Sequence, residues 1–209
     1  MRGLSIIFSR IFVALVAMAG LYSSAFSFTL DRKYPTSDSL FYSSHYEIPY
    51  ILGYSLALYS LIWGVDSHGK SRFQRASSKA IETLLINQIT TEAIKLTAGR
   101  KRPRNTSSSS DWGYFGNKSF PSGHVSSTTA IITPYILEYK DDYPAIYLLG
   151  LLPLHQMLGR VNAQAHWTSD VLAGALLGGG IAFARNKAQT NLLVQWTKEK
   201  KWVGVRSIF

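Results

Sequence analysis

The sequence predicts an all-α fold, a bundle of about five to six helices. The first observation behind this prediction is a series of apolar or amphipathic stretches of helical length, separated by polar segments. The second is the stretch 77–97, in which apolar side chains recur at helical spacing from Ile81 to Leu96. The third is the length of 209 residues, 46% of them hydrophobic and with no internal repeat, which is enough for one compact core.

Five helices are predicted in chain order after an N-terminal segment. They are placed at about 50–65, 77–97, 123–139, 145–159 and 167–186. Gly99 ends the second helix, because glycine is common just after a helix C-terminus. Glu82 and Glu92 lie within or beside the apolar stripe of that helix, so its amphipathic pattern is imperfect. A loop rich in glycine, serine and basic residues is predicted at 99–121, and a short strand within the tail 198–209.

The composition favours anionic partners. The formal net charge is +10 and the isoelectric point is about 9.8, so phosphate esters, anionic lipid surfaces and nucleic acid all fit on charge alone. The sequence contains no recognisable nucleic-acid-binding motif, which favours the first two. The absence of cysteine excludes disulfides, thiolate chemistry and cysteine-based zinc sites.

The N-terminus predicts entry into an export route. Arg2 and Arg10 precede an uncharged run from Ile11 to Tyr22, and small residues then offer a cleavage site. Residues 1–27 therefore have the organisation of a signal peptide. The same stretch could instead remain as an N-terminal membrane anchor, since it is just long and apolar enough. Residues 28–209 are predicted to form a single helical domain.

The sequence leaves the relation of the later helices to the membrane open. Their uncharged stretches are roughly 14 to 19 residues long, at or below what a spanning helix needs, and suit buried core helices at least as well. If they do span, the basic residues at 66–79 and after 185 orient the loops that follow Thr97 and Gly159 outward. An exported protein with membrane association and a multi-pass inner-membrane protein would both carry these loops on the periplasmic side.

The first cluster of candidate site residues is Lys95, followed after six residues by Arg102 and Pro103. It brings two cations to one helix end and the loop beyond it. Lysine supplies a mobile point charge and arginine a planar fork that matches two phosphate oxygens, so the pair suits an oxyanion. Taken alone, a basic helix end also simply complements the helix dipole.

The second cluster is the run from Pro121 through Ser122 and Gly123 to His124, directly before an apolar helix. A helix N-terminus leaves backbone N–H groups free to receive an anion, and glycine lets the backbone approach closely. A histidine in that first turn could protonate a departing alkoxide. On its own the run is also an ordinary helix cap.

The third cluster is Arg160, His166 and Asp170. His166 and Asp170 are four residues apart, so they share a face if the helix begins at or before His166. The carboxylate could then orient one ring nitrogen while the other points outward, which is what a nucleophilic histidine needs. A lone pair at this spacing is also common as a structural surface contact.

In this order, the three clusters resemble the signature of the type 2 phosphatidic acid phosphatase and vanadium haloperoxidase superfamily. The resemblance covers about residues 77–180, and the joint pattern is far more specific than any one cluster. It implies a helical fold like that of acid phosphatases and vanadium haloperoxidases. It also implies a metal-independent phosphatase that hydrolyses phosphate monoesters through a phosphohistidine intermediate, with no cofactor, because basic side chains take the place of metal cations.

The family pattern implies a role for each matching residue. The implied phosphate-binding residues are Lys95, Arg102, Ser122, Gly123 and Arg160. His166 is implied as the nucleophile and Asp170 as its orienting partner. His124 is implied as the acid that protonates the leaving group and later activates water.

The resemblance leaves the substrate open. Lipid phosphates such as phosphatidic acid, a polyprenyl diphosphate or a lipid A phosphate are expected, and a nonspecific acid phosphatase on small soluble phosphates is an alternative. Vanadate-dependent halide oxidation and non-catalytic binding of anionic lipid are two further alternatives. The residues around His166 and Asp170 are similar to bacterial exported members. They place the expected protein in the bacterial cell envelope, in contact with the membrane and without a nucleic-acid partner.

Further expectations concern Gly159, His155 and the basic run that follows Gly99. Gly159 precedes Arg160 where the family usually has serine, and the phosphate site is expected to tolerate the missing hydroxyl because every charged residue is present. His155 is expected to be a buried or interface histidine. The basic run from Arg100 to Arg104 is expected to contact lipid headgroups or to extend a positive funnel toward the site.

Overall fold

A computed structural model describes residues 31–36, 48–63, 71–113, 116–188, 190–196 and 201–207. The predicted signal peptide or anchor at 1–27 lies outside the described residues. The five α-helices of the described part are α1 (Ile48–Trp63), α2 (Arg72–Ala98), α3 (Gly123–Tyr139), α4 (Leu151–Asn162) and α5 (Thr168–Lys187). Short 3-10 helices lie at Pro103–Asn105 and Pro144–Gly150. The predicted all-α bundle is confirmed.

A β-hairpin follows the bundle. Strands β1 (Thr190–Trp196) and β2 (Lys201–Ser207) pair antiparallel, with Thr190 opposite Ser207 and Trp196 opposite Lys201. The strand predicted in the tail 198–209 corresponds to β2. Its partner β1 was not predicted.

Helix α2 begins five residues before the position predicted from its apolar pattern. Ser71 precedes it and forms a capping box with Gln74, in which each side chain bonds the backbone N–H of the other residue. This cap satisfies N–H groups that a helix start leaves without intrahelical partners. At the other end, Gly99 adopts the left-handed conformation, with φ of 57°, and its N–H bonds to the carbonyl of Lys95. The predicted end at Gly99 is therefore correct.

The predicted helix 145–159 is wrong in its bounds. Residues Pro144–Gly150 form a 3-10 helix, and the α-helix runs instead over Leu151–Asn162. Pro153 explains the break, because proline has no N–H to donate to the carbonyl of Leu149 and so interrupts an α-helix that begins before it. The same proline is well suited to the first turn of a helix, where the N–H would have no partner in any case.

Helix α3 occupies the middle of the bundle. It contacts α5 and α2 most extensively and also touches α1 and α4. At its C-terminal half, Ile131 and Tyr135 form an apolar core cluster with Ala76 and Ala80 of α2. This cluster lies at the end of the bundle opposite the start of α3.

The half of α3 nearer its N-terminus packs through polar contacts. Ser126 donates a hydrogen bond of 2.9 Å to Asn87 and lies 3.1 Å from the hydroxyl of Thr91. Thr128 donates to Gln156 of α4 at 2.6 Å. All of these side chains are buried. Their hydrogen bonds allow a polar interior, since a buried polar group without a partner is costly.

Helices α3 and α5 approach closely at two glycines. A Cβ added at Gly174 would lie 2.6 Å from the carbonyl oxygen of Ser122, and one added at Gly178 would lie 2.1 Å from that of Ser126. Both distances are shorter than a carbon and an oxygen tolerate without a backbone shift. Because Gly174 and Gly178 have no side chains, the start of α3 can pack directly against α5.

We expect Gly178→Ala to lower the free energy of unfolding by about 2 to 3 kcal/mol, because the two backbones must move apart. Gly180→Ala on the same helix is the matched control. No atom lies within 4 Å of a Cβ at Gly180, so alanine there should be neutral or stabilising through its helix propensity. Urea unfolding midpoints of both variants measure the difference, and equal midpoints would contradict the close approach.

Across the ranges that the structure describes, no helix combines the length and the apolar character needed to cross a bilayer.

Candidate active site

The three predicted clusters meet at one end of the bundle. Lys95 lies in the last turn of α2, Ser122 caps α3, and Arg160 lies in the last turn of α4. His166 lies in the connection between α4 and α5. The backbone N–H of Ser122 donates to the carbonyl of Asp170 at 2.9 Å, which joins the second cluster directly to the third.

Lys95 places its ammonium group at the N-terminus of α3. A Cβ added at Gly123 would lie 2.9 Å from Lys95 Nζ, and the lysine side chain is only 13% exposed. Its hydrogen bond to Glu92, of 2.8 Å, lowers the pKa of that carboxyl group. Glycine at 123 therefore makes room for a cation beside the first N–H groups of a helix, where an anion is favoured.

Two guanidinium groups add to this positive charge. Arg160 is buried. Burial, followed by repulsion from Arg104 and Arg160, lowers the pKa of Arg102, with Asp170 acting in the opposite direction. The repulsion means that the arginines lie near one another. Like charges gathered in a partly buried place favour an anion that neutralises them.

Ser122 contributes a hydroxyl without a partner. Its Oγ is buried and makes no hydrogen bond, and it does not cap α3 through its side chain. An unpaired buried hydroxyl costs free energy unless something bonds to it. The hydroxyl lies at the helix terminus that Lys95 faces, so it could donate a hydrogen bond to an anion bound there.

His124 lies in the first turn of α3, and its surroundings disfavour a charged ring. Burial, and then repulsion from Arg160, His166, Lys95 and Arg102, lowers the pKa of His124 to about 3. The ring packs against Tyr50 of α1, with centroids 4.2 Å apart and planes tilted by 33°. The residues that repel a charged His124 ring come from all three clusters, so His124 lies near each of them. With no anion bound, its imidazole is neutral at pH 7.

His166 is buried, and its tautomer follows from its hydrogen bond. Nδ1 lies 2.7 Å from the backbone carbonyl of Ser119. A carbonyl can only accept, so Nδ1 carries the proton and Nε2 keeps a lone pair. Burial lowers the pKa of His166, although Asp170 opposes this effect, and Arg160 and Arg102 lower it further. The neutral ring therefore keeps an unprotonated Nε2.

His166 and Asp170 lie close to one another. Nδ1 is 3.7 Å from Asp170 Oδ2, and the carbonyl of Ser119 is its closer partner. The expectation that the two residues share a helix face required a helix that begins at or before His166, but α5 begins at Thr168. Asp170 instead accepts the N–H of Trp167 at 2.8 Å, as a residue in the first turn of a helix often does.

Asp170 remains ionised and acts on His166 through its charge. Burial alone would raise its pKa, but His166, Arg100 and Ser119 hold it below the ordinary value. Ser119 links the two residues, because its hydroxyl donates to Asp170 Oδ2 at 2.5 Å while its carbonyl accepts from His166. Ser119 thus connects the carboxylate of Asp170 to the imidazole of His166.

Sequence reasoning missed Arg100, Asp31 and Ser119. Arg100 was grouped with the run that was expected to contact lipid headgroups or to extend a positive funnel toward the site, but its side chain is 1% exposed and pairs with Asp170 at 2.6 Å. It also stacks near the ring of Trp112, 4.7 Å from its centroid. The only feature of the sequence that could have indicated a role for Arg100 at the site was its position in the loop after α2. No such feature distinguished Asp31 or Ser119.

The arrangement has two electrically distinct sides. Positive charge from Lys95, Arg102 and Arg160 lies on one side, together with the unpaired hydroxyl of Ser122. On the other, the carboxylate of Asp170 lies behind the imidazole of His166. This geometry suits an attack by Nε2 on an electrophile whose negative oxygens face the cations.

Comparison with known protein families bears on this arrangement. The model of the PAP2 superfamily matches residues 77–194, more than half of the chain. The chain belongs to the PAP2 superfamily. This result confirms the resemblance drawn from the three clusters. All predicted site residues lie inside the matched span, whereas Asp31 lies outside it. His155, on α4 of this PAP2 domain, is half-buried.

One curated relative gives a narrower likeness. The chain is 30% identical over 117 residues to a lipid A 1-phosphatase of Porphyromonas gingivalis. The aligned part makes up 56% of this chain and 24% of the relative, so the chain spans about a quarter of that protein's length. No solved structure matches the chain.

Proposed function

We propose that this PAP2 superfamily protein hydrolyses phosphate monoesters of lipids through a phosphohistidine on His166. One observation carries the proposal: the neutral, buried imidazole of His166, with its proton fixed on Nδ1, lies among cations from three separate parts of the chain. Phosphoryl transfer depends mainly on positioning and on stabilising negative oxygens, which is what this arrangement supplies.

Substrate binding neutralises the positive side of the site. The ammonium of Lys95 and the guanidinium groups of Arg102 and Arg160 bind the nonbridging phosphate oxygens. The unpaired hydroxyl of Ser122 donates to one of them, as does the N–H of Gly123 at the helix terminus. The phosphorus then lies in front of His166 Nε2.

In the first chemical step, the lone pair on His166 Nε2 forms a bond to phosphorus, and the bond from phosphorus to the leaving oxygen breaks. The electron pair goes to that oxygen, which takes a proton from His124. The pKa of His124 is about 3 without an anion, but a bound phosphate dianion offsets the neighbouring cations and raises it, so the ring can be protonated in the complex.

In the second step, water attacks the phosphorus of the phosphohistidine. The neutral His124 left by the first step accepts a proton from this water. The bond from Nε2 to phosphorus breaks, its electron pair returns to His166, and phosphate leaves. The negative charge of Asp170 stabilises the imidazolium-like ring of the intermediate.

We predict that the acid limb of the kcat/KM profile lies below pH 6.5. Protonation removes the lone pair of His166, and burial places its pKa below the ordinary value of 6.5. The neutral nucleophile therefore persists as the pH falls through 6.5. The kcat/KM profile is measured against pH with an aryl phosphate as substrate, and the ionisation of the aryl phosphate is titrated separately. A limb above pH 6.5 would contradict the assignment.

We predict that Gly123→Ala raises KM roughly 10- to 100-fold, the loss expected from one hydrogen bond to a charged group. The new Cβ would displace Lys95 Nζ, which is the end of a flexible side chain, so the fold should be retained. Gly179→Ala, whose Cβ meets only Thr129 at an ordinary 3.6 Å, is the control. An unchanged KM in Gly123→Ala would remove Lys95 from the binding role.

Exposed apolar side chains support a lipid substrate. Five of them, on four helices, are each within two residues along the chain of Tyr50 or of a predicted site residue. This apolar collar consists of Ile51, Leu52, Leu96, Leu158 and Leu172. The interior beneath it is polar, with buried Asn87, Thr91 and Ser126. An apolar surface around a polar interior favours contact with lipid at the site. The likeness to a lipid A 1-phosphatase supports the same proposal.

The lipid part of the proposal is tested with two substrates in the presence of EDTA. One is a soluble aryl phosphate, and the other is a lipid monophosphate in vesicles. The collar double variant Leu96→Ser/Leu158→Ser should lose activity on vesicles and keep it on the aryl phosphate. Leu148→Ser, an exposed leucine at the opposite end of the bundle, is the control. Equal effects on both substrates would refute lipid contact through the collar and favour small soluble phosphates.

A further inference from the structure

The carboxylate of Asp31 lies behind the candidate site. Asp31 Oδ2 is 2.7 Å from Arg100 Nη2, and Arg100 Nη1 is 2.6 Å from Asp170 Oδ1. The side chains of Asp31, Arg100 and Asp170 are at most 1% exposed. Asp31 lies just after the predicted export segment and before the span matched by the family model, which begins at residue 77.

The charges of this buried group do not balance. Arg100 carries one positive charge, and Asp31 and Asp170 each carry one negative charge, so the sum is one negative charge. Without Asp31, the guanidinium of Arg100 would cancel the carboxylate of Asp170, and the field behind His166 would be close to neutral. In a buried place, where screening by water is weak, that difference is large.

Asp31 also fixes the backbone that follows His166. Its Oδ1 accepts the N–H of Ser169 at 2.8 Å, and its Oδ2 accepts the Ser169 hydroxyl at 2.6 Å. The N–H of Ser169 belongs to the first turn of α5, where a carboxylate is favoured by the helix dipole. Farther along the same segment, the carbonyl of Tyr34 accepts from Gln164 at 2.9 Å. Residues 31–36 are therefore held against the connection that carries His166.

We propose that Asp31 is a positioning residue of the phosphatase: its charge gives the Asp31–Arg100–Asp170 group the net negative charge that stabilises His166 during phosphoryl transfer. This inference rests on the proposed function of His166. When Nε2 attacks phosphorus, the ring gains positive charge while Nδ1 keeps its proton. One net negative charge behind Nδ1 favours that state, and Asp31 supplies it without touching the substrate.

The cations around His166 act in the direction opposite to Asp170. Among the described residues, Arg160 of α4 and Arg102 of the loop after α2 lower the pKa of His166, whereas Asp170 of α5 raises it, and His124 of α3 also faces His166. Asp170 is the one anion in this set, and Arg100 lies against it. The balance at His166 therefore depends on whether Arg100 is neutralised from behind by Asp31.

Asp31→Asn in the full chain tests the proposal. The variant should lower kcat roughly tenfold, which corresponds to about 1.4 kcal/mol of activation free energy. KM should stay within twofold, because the phosphate-binding cations are untouched. The acid limb of kcat/KM should move to lower pH, because a ring that has lost a stabilising negative charge binds a proton less readily. Asp31→Glu, which keeps the charge, should keep the wild-type limb.

The matched control is Glu82→Gln. Glu82 pairs with Arg185 on α5 as a second buried ion pair, away from the site. Its loss should lower the unfolding midpoint and leave kcat and the acid limb unchanged. If Asp31→Asn behaves in the same way, Asp31 is only structural and the proposal is overturned.

Two further results keep the proposal testable if Asp31→Asn does not fold. Ser169→Ala removes hydrogen bonds to Asp31 and Arg100 but no charge, so it must keep the wild-type acid limb, as must Asp31→Glu. A displaced limb in either variant would overturn the proposal. Failure of the proposed function itself is distinguishable, since His166→Ala would then retain activity, whereas failure of this inference leaves His166→Ala inactive.

Discussion

His166→Ala should lower phosphate release by about 10⁴-fold or more, the scale on which removal of a nucleophile acts when the rest of a site remains. The effect should fall on kcat, because Lys95, Arg102 and Arg160 still bind the substrate. Alanine leaves a small cavity in place of a buried ring, so the midpoint of thermal unfolding must be measured together with the activity. Phosphate release at saturating substrate in the presence of EDTA measures the loss.

His155→Ala provides the control for His166→Ala. His155 lies on α4, is half-buried, and is not among the groups that perturb His124 or His166. Its replacement should leave kcat close to the wild-type value. Turnover retained by folded His166→Ala protein would exclude a nucleophilic role for His166 and with it the proposed mechanism.

Arg100→Leu should lower the free energy of unfolding by about 3 to 5 kcal/mol, the usual consequence of removing one partner from a buried ionic group. The substitution leaves the carboxylates of Asp31 and Asp170 buried without their cation, and it also removes hydrogen bonds to Ser169 and to the carbonyl of Ser109. A carboxylate in that state binds a proton more readily, so the deficit should shrink as the pH is lowered.

Lys101→Leu is the natural comparison for Arg100→Leu. Lys101 is the next residue and forms a partly exposed ion pair with Asp111, at 2.9 Å. Pairs of this kind contribute about 0 to 1 kcal/mol. Urea unfolding at two pH values measures both variants. A deficit in Arg100→Leu no larger than that in Lys101→Leu would mean that the buried charge group does not hold this end of the bundle together.

Local patterns in the sequence predicted most of the helices. The uncharged runs and the spacing from Ile81 to Leu96 indicate helices with one buried face. Gly99 indicates a helix C-terminus, because glycine readily adopts the left-handed conformation found there. The start of α2 and the break before α4 were misjudged. The first depends on a capping box at Ser71, and the second on Pro153, which the apolar pattern does not register.

The residues that could hold a phosphate were predictable because each lies at the end of a helix. Lys95, Ser122 and Arg160 are placed by local structure, and the order of the clusters along the chain indicated that they meet. The detail around His166 was not predictable in the same way. His166 lies before α5, and the closest partner of its Nδ1 is the carbonyl of Ser119 rather than Asp170.

Charge burial is the part that no local pattern reveals. Arg100 and Arg104 look alike in the sequence, yet Arg100 is buried and Arg104 is exposed. The buried partners of Arg100 are Asp31, which is 69 residues away along the chain, and Asp170, which is 70 residues away. Only the folded chain brings the three together.

If phosphate is carried on His166 during turnover, the phosphorylated enzyme can be trapped. Protein mixed with an excess of substrate is quenched in alkali, where phosphohistidine survives, and the modified residue is located by mass spectrometry of its peptides. We expect phosphate on Nε2 of His166, absent from His166→Ala and present in His155→Ala. Phosphate on any other residue, or turnover with no phosphorylated enzyme at any time, would contradict it.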